Sequence, residues 1–461
     1  MTRRHPSPAY LVAPLAAVLL LCGGVERAHA QSETPGGGIS RIRDAEIEND
    51  LKEWELPVWR AAGLSPDAMH IILIDDDEIN SFVAGGQNIF VYTGLLTRSD
   101  DANQVIGVMA HETGHIAGGH LIRMGDAIEK AEIPQIVGMI VGAAAGVLGH
   151  QSGAMAAGSE AGAMTSLHTF LSFSQTQERS ADQAAVTFLD RTEQSPRGLL
   201  EFMQKLQSYE FVNGIEEIPW LMTHPLTQDR IDFLAHALKT SKYAETPEPP
   251  DYKEEHARML GKLIGFLWPT ARVFQKFPDS DTSDEAVYAR AIAYHRLSNE
   301  DQAQAGIDAL LKKAPNDPYY NELKGQFYFE AGKVAQSVGP YQAANRELPN
   351  NPLIETEMAQ AMIESGDAQY DDAASAALRD AALGDPDNPD TWHLLATVDG
   401  KRGDVNDAAL DLAEEAYAEG NYKSARAQAK RAETLFPAGS RGAIRAQDIQ
   451  QASDDALKNA S

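Results

Sequence analysis

Three proline-bounded tetrapeptides, Pro315-Asn316-Asp317-Pro318, Pro349-Asn350-Asn351-Pro352 and Pro386-Asp387-Asn388-Pro389, recur at steps of 34 and 37 residues through the second half of the 461-residue chain. Paired helical patterns lie between them. A period of this length marks a helical repeat array, in which each unit buries its apolar face only against its neighbours. Such arrays stack into a superhelix whose concave face commonly binds another protein. A chain this long exceeds one ordinary core, and its composition changes at residues 241–254, where proline and acidic residues combine as in an interdomain linker. We expect a first domain over 39–240, a linker over 241–254, a repeat domain over 255–440 and a C-terminal tail over 441–461.

The unit from Pro318 to Pro349 resembles a tetratricopeptide repeat, because Gly325, Tyr328, Tyr341, Ala344 and Pro349 fall at that family's signature positions. Tyr294, Ala303 and Pro315 match in the unit before it. After Trp392 the register blurs, and the last segment reads either as a final repeat or as a cap. Hydrophobic content of 43% with 23% charged residues is that of a globular protein. The formal net charge of −28 argues against nucleic acid as a partner, since phosphates need Lys and Arg to neutralise them.

At the N-terminus, Arg3 and Arg4 precede an apolar run, and Ala28-His29-Ala30 precedes Gln31. That order is a secretory signal peptide, so residues 1–30 are expected to be removed and 31–38 to form a flexible lead-in. The single cysteine, Cys22, leaves with it. Lipidation of Cys22 is the rival reading, disfavoured by Leu21, where a lipoprotein signal wants a small residue. The mature chain then has no disulfide, and its metal ligands must be His, Asp or Glu.

Within the first domain, apolar residues at helical spacing predict an amphipathic helix from Ile39 to about Leu64. Two β-rich runs follow, Ile71–Ile74 and Ile89–Tyr92, with a Gly85-Gly86 turn between them. Ser99-Asp100-Asp101 offers a cap for the next helix, which runs on through Met124 and carries His111-Glu112-Thr113-Gly114-His115. The i, i+4 spacing puts both imidazoles on one face, within reach of one ion, and Glu112 beside them as a general base. A catalytic zinc needs a third protein ligand. His120 is five residues past His115, off the ligand face, and reads as a helix-end or surface histidine. Glu178 and Asp182 share a face at i, i+4, so that Glu178 could bind metal while Asp182 orients a ligand histidine; by spacing alone such a pair is usually a solvated surface. Residues 133–170 hold a Gly/Ala-rich apolar run at the short limit for a membrane span, read as a core hairpin or a flap touching a membrane surface.

Taken in order, Ile79–Leu96, His111–His115, Glu178–Asp182 and Thr223–Ile231 resemble the zinc metalloproteases of the Ste-HtpX family, over about residues 40–240. The exported, repeat-bearing architecture is similar to that family's periplasmic members. The resemblance implies one zinc ion bound by His111, His115 and Glu178, with Glu112 as general base and a cleft lined by Ile79 to Tyr92. It further implies that His224, of the His-Pro-x-x-x-x-Arg segment, can take a fourth, regulatory zinc position. Arg230 would then stabilise the active site or the oxyanion. The expected fold is mainly α, a gluzincin-type domain of helices plus a small β-sheet followed by a helical repeat solenoid.

The expected function is a periplasmic zinc endopeptidase acting on misfolded or stalled outer-membrane proteins and docked by its repeats to the assembly machinery. The alternative is a chaperone or adaptor for that assembly, with a latched or silent zinc site. An integral-membrane protease is disfavoured, because only one marginal apolar stretch survives removal of the signal.

Overall fold

The computed structural model describes residues 40–121, 160–213 and 224–459. The expected signal peptide and lead-in, and the Gly/Ala-rich run before residue 160, lie outside the described residues.

The first helix starts later than the periodicity predicts. Asp44 has extended backbone (φ −152°), and its carboxylate accepts the Ile47 N–H, so α1 runs Ala45–Ala61. One residue before this cap, Arg41–Ile42 form strand β1. It pairs antiparallel with β2 (His70–Ile74), which pairs parallel with β4 (Asn88–Tyr92). Strand β3 (Ser81–Ala84) closes the order β1-β2-β4-β3 as an edge, joined antiparallel to β4 through Gly85 (φ 60°) and Gly86 (φ 104°). Two of these four strands were expected. β1 is too short for alternation to mark it, and β3 is set by its pairing with β4.

After a short helix α2 (Thr93–Arg98), Asp101 caps α3 (Ala102–Ala117) by accepting the Gln104 N–H. This helix ends at Ala117, a full two turns before the predicted end at Met124. Its residues are buried nearly all round, because the sheet, α1, α4 (Glu160–Arg191) and α5 (Arg197–Asn213) all pack on it. Two glycines permit the closest of these contacts: a Cβ on Gly107 would lie 2.6 Å from the Leu199 nitrogen, and one on Gly114 would lie 2.9 Å from the Ala181 oxygen. Trp54, Trp59, Leu73, Val91, Met109, Phe202 and, from α6 (Gln228–Thr240), Leu234 fill one core around α3.

The segment read as a linker is bound to this domain. The Ala102 N–H donates to Glu248, Ser195 donates to the Ala244 carbonyl, and helix α7 (Pro250–Leu267) puts Tyr252, Met259 and Leu263 against the same core. Beyond α8 (Thr270–Lys276) come five helical hairpins, α9 (Asp284–Arg296) with α10 (Glu300–Lys313), α11 (Pro318–Glu330) with α12 (Val334–Glu347), α13 (Pro352–Glu364) with α14 (Asp371–Gly384), α15 (Pro389–Arg402) with α16 (Val405–Ala418), and α17 (Tyr422–Leu435) with α18 (Arg441–Asn459). The recurring tetrapeptides are helix starts: Asp317, Asn351 and Asn388 cap with their side chains, and Pro318, Pro352 and Pro389 take the first position, where a missing N–H costs nothing. Residues 441–459, set apart above as a tail, form α18, with Ala443, Ala446 and Ile449 buried.

The hairpins clasp the start of α1. Ala45 packs with Tyr319, Ala344 and Ile354, and Arg43 pairs with Asp385 at 2.8 Å. Glu46 is fully buried, 2.7 Å from Arg258 and 2.8 Å from the Tyr288 hydroxyl that donates to it, while Lys262 reaches Asp44 at 2.8 Å. The far part of the same helix supports α3, so the repeats and the HExxH helix are held by opposite ends of one element.

Candidate metal centre

The contact between Gly114 and Ala181 decides where the site forms. Because α3 and α4 meet there without side chains between them, Glu178 and Asp182, one turn apart on α4, lie directly beside His111 and His115, one turn apart on α3. His111 Nε2 stands 3.1 Å from His115 Nε2 and 3.3 Å from Glu178 Oε2, and His115 Nε2 stands 3.3 Å from Glu178 Oε1. His224, from the segment leading into α6, brings its Nδ1 to 3.4 Å from His111 Nε2 and 3.1 Å from Glu178 Oε2. Four residues thus offer one donor atom each, all within 4.8 Å of one another and all buried. The resemblance predicted this set, and the structure brings its members together.

The arrangement fits a metal ion. Nitrogen and carboxylate lone pairs that converge on one point repel unless a cation or a proton stands among them. Tetrahedral zinc bonds of about 2.0–2.1 Å put neighbouring donors roughly 3.3 Å apart, close to the 3.1–3.4 Å of the donor pairs given above, within a set that spans up to 4.8 Å.

Supports surround the donors. Asp182 Oδ1 lies 2.9 Å from His111 Nδ1, the nitrogen turned away from the other donors. Arg230 grips Asp182 with two bonds, Nε to Oδ2 at 2.7 Å and Nη2 to Oδ1 at 2.9 Å, while its Nη1 reaches Glu178 Oε2 at 3.0 Å and the Pro225 carbonyl at 3.0 Å. Of the two roles expected for Arg230, these contacts agree with stabilising the site rather than an oxyanion. The guanidinium is 1% exposed and committed to two carboxylates and to the turn that carries His224, so it acts by positioning. Both oxygens of Glu112 are buried without a hydrogen-bond partner among the described residues, and His224 Nε2 stands 3.5 Å from Oε1.

Electrostatics follow from burial and pairing. Burial pulls the His111 imidazole down, but its bonds to Asp182 and Glu178 outweigh that and raise its pKa to about 9. Burial prevails at His115 and lowers it, against the pull of Glu178. Burial would raise Glu178, yet His224 and His115 hold its carboxylate well below the usual range. Asp182 is likewise lowered, with the bond to Arg230 overcoming its burial.

His120 escaped the sequence reading. It is buried rather than at the surface, with its Nδ1 3.0 Å from His115 Nδ1. The signal available was the Gly118-Gly119 pair, which stops the helix that was assumed to carry it away.

Residues 43–238 match peptidase family M48. This part of the chain is a peptidase M48 domain. The result agrees with the resemblance read from the motifs and, with the relatives, supports a zinc metalloprotease. The chain is 26% identical over 335 residues to the beta-barrel assembly-enhancing protease of Escherichia coli K12, a span covering 72% of this chain and 67% of that protein. Against the Yersinia pestis protein of the same name, identity is 25% over 339 residues, covering 72% and 68%. The chain is also similar to the mitochondrial metalloendopeptidase OMA1 of Bos taurus, 27% identical over 209 residues, covering 44% of this chain and 38% of that protein. The match to the assembly-enhancing proteases therefore extends past the M48 domain into the helical hairpins.

Proposed function

We propose that this chain is a zinc endopeptidase of the bacterial periplasm that hydrolyses misfolded or stalled outer-membrane proteins, with its helical repeats docking it to the assembly machinery. The observation that carries the enzymatic part is the four-donor cluster with the buried Glu112 carboxylate beside it, which makes no hydrogen bond among the described residues. His111, His115 and Glu178 would hold one zinc ion and leave a fourth position for water, which His224 could take instead as a regulatory ligand. When bound, the ion supplies Lewis acidity, making water nucleophilic near neutral pH and polarising a peptide carbonyl. Glu112 takes the proton of the attacking water and returns it to the leaving nitrogen. Asp182 fixes the tautomer of His111, and Arg230 holds Asp182, Glu178 and the His224 turn in one arrangement. The edge strand β3 offers unpaired backbone to which an extended substrate can add a strand.

The substrate and partner rest on the names of the relatives, which tie them to β-barrel assembly. The location rests on the signal-like order of residues 1–30. No helix among the described residues is long and apolar enough to cross a membrane. A second reading, a chaperone or adaptor with a latched site, is favoured by one observation: His224 already stands in the fourth donor position, with its other nitrogen facing Glu112. The test is casein cleavage by the wild type and His224→Ala. A latch predicts faster cleavage by the variant. Slower cleavage with zinc lost would make His224 an ordinary structural ligand.

A further inference from the structure

The two histidines of α3 are supported in different ways. His111 turns its Nδ1 to the carboxylate of Asp182, 2.9 Å away. His115 turns its Nδ1 to another imidazole, that of His120, at 3.0 Å, with the rings nearly perpendicular at 82° and their centroids 4.9 Å apart. Both point Nε2 toward the other donors.

We propose that His120 is the positioning residue for the second ligand, holding the His115 ring in the tautomer and orientation that metal binding needs. The inference rests on the metal-site reading above. A neutral imidazole that gives its Nε2 lone pair to a metal carries its proton on Nδ1. A nitrogen pair 3.0 Å apart needs one donor and one acceptor. His115 Nδ1–H therefore donates, His120 Nδ1 accepts, and His120 carries its own proton on Nε2. Removing the acceptor would leave a buried donor unsatisfied and the ring free to turn, which is how partners of metal-ligating histidines act elsewhere.

The chain is built to bring the ring there. Continued as a helix, residue 120 would sit about 140° round the axis from His115. Instead α3 stops at Ala117, Gly118 donates to the Gly114 carbonyl and Gly119 to that of Ile116, and Gly119 turns the backbone with φ +61°, a conformation that favours glycine. Gly118 makes room: a Cβ there would lie 2.5 Å from His120 Nε2 and 2.8 Å from its Cδ2. His120 ends 3% exposed, on the side of His115 away from the cluster, where it cannot ligate the same ion. The plain competitor is a histidine that merely fills space at a helix end.

The test is zinc affinity of the full-length protein, stripped of metal and titrated against a chromophoric chelator, with the visible spectrum of the cobalt-substituted form as a second readout. His120→Leu keeps the volume and removes the acceptor, and should weaken zinc about 10- to 100-fold and alter the cobalt spectrum. His120→Asn, whose amide oxygen can take the place of Nδ1, should recover most of the affinity. Gly118→Ala should reproduce the loss by displacing the ring, and add nothing in the His120→Leu background. Wild-type affinity in His120→Leu, or equal losses in the Leu and Asn variants, would overturn the proposal. If the variants fail to fold, nitrogen NMR of histidine-labelled, zinc-loaded wild type decides: His120 protonated on Nε2 is expected, and protonation on Nδ1 refutes. A wild type that binds no zinc would overturn the metal-site reading itself and, with it, any role in positioning a ligand.

Discussion

Arg230 is the cation on which the buried acids of the site depend, and Arg230→Met tests this at nearly constant volume. Asp182 is 0% exposed and Glu178 2%, and both lose their guanidinium contacts in the variant. Breaking a buried pair from one side costs about 3–5 kcal/mol, because the remaining charge stays out of water without compensation. That corresponds to roughly two to three and a half decades in the folding constant. The assay is urea unfolding of the metal-free protein near pH 7.5, followed by near-ultraviolet circular dichroism from Trp54 and Trp59 in the M48 core. The double variant Arg230→Met/Asp182→Leu should recover at least half of the loss, since it removes the stranded carboxylate as well. A single-variant loss below about 1 kcal/mol, in the range of an exposed pair, would refute the argument.

Other consequences concern acid, packing and metal. Burial lowers the His256 pKa to about 4, so the stability its neutral form contributes is full above its unfolded value of about 6.5 and is lost as pH falls toward 4. The stability of His256→Asn relative to wild type should then rise by about 3 kcal/mol between pH 7 and pH 4; a flat difference would contradict it. In the repeats, a Cβ at Gly325 would meet the Tyr341 ring at 2.8 Å. Gly325→Ala should cost about 1–3 kcal/mol in the thermal transition of the hairpins, and no loss would mean that the contact is not tight. Chelation should abolish casein cleavage and one equivalent of zinc restore it, whereas cleavage that persists after the metal has been removed would refute a metal-dependent mechanism.

What could be read from the sequence depended on how local the determinant is. The repeat starts were legible because cap and proline are adjacent, and the structure uses Asp317-Pro318, Asn351-Pro352 and Asn388-Pro389 as helix starts. His111 and His115 were legible because one helical turn relates them. Glu178 and His224 were not, since His224 meets His111 across 113 residues and nothing in the spacing records it. His224 came from the family resemblance alone, and for Glu178 the i, i+4 pairing with Asp182 offered only a weak candidate that the resemblance selected. His120 was misjudged because a continuing helix was assumed through Gly118-Gly119, two residues whose freedom ends it. Strand β3 and the anchored segment 241–254 were missed for a related reason: their places are set by what packs on them, the β4 hairpin in one case and Ala102 and Ser195 in the other.

The central claim, a zinc ion served by Glu112 as general base, is met most directly by measuring zinc content and casein cleavage together on purified wild type and Glu112→Gln. The account predicts about one zinc per chain in both, with cleavage in the wild type and none in the variant. Cleavage by Glu112→Gln at the wild-type rate, or a wild type that holds no zinc, would contradict it.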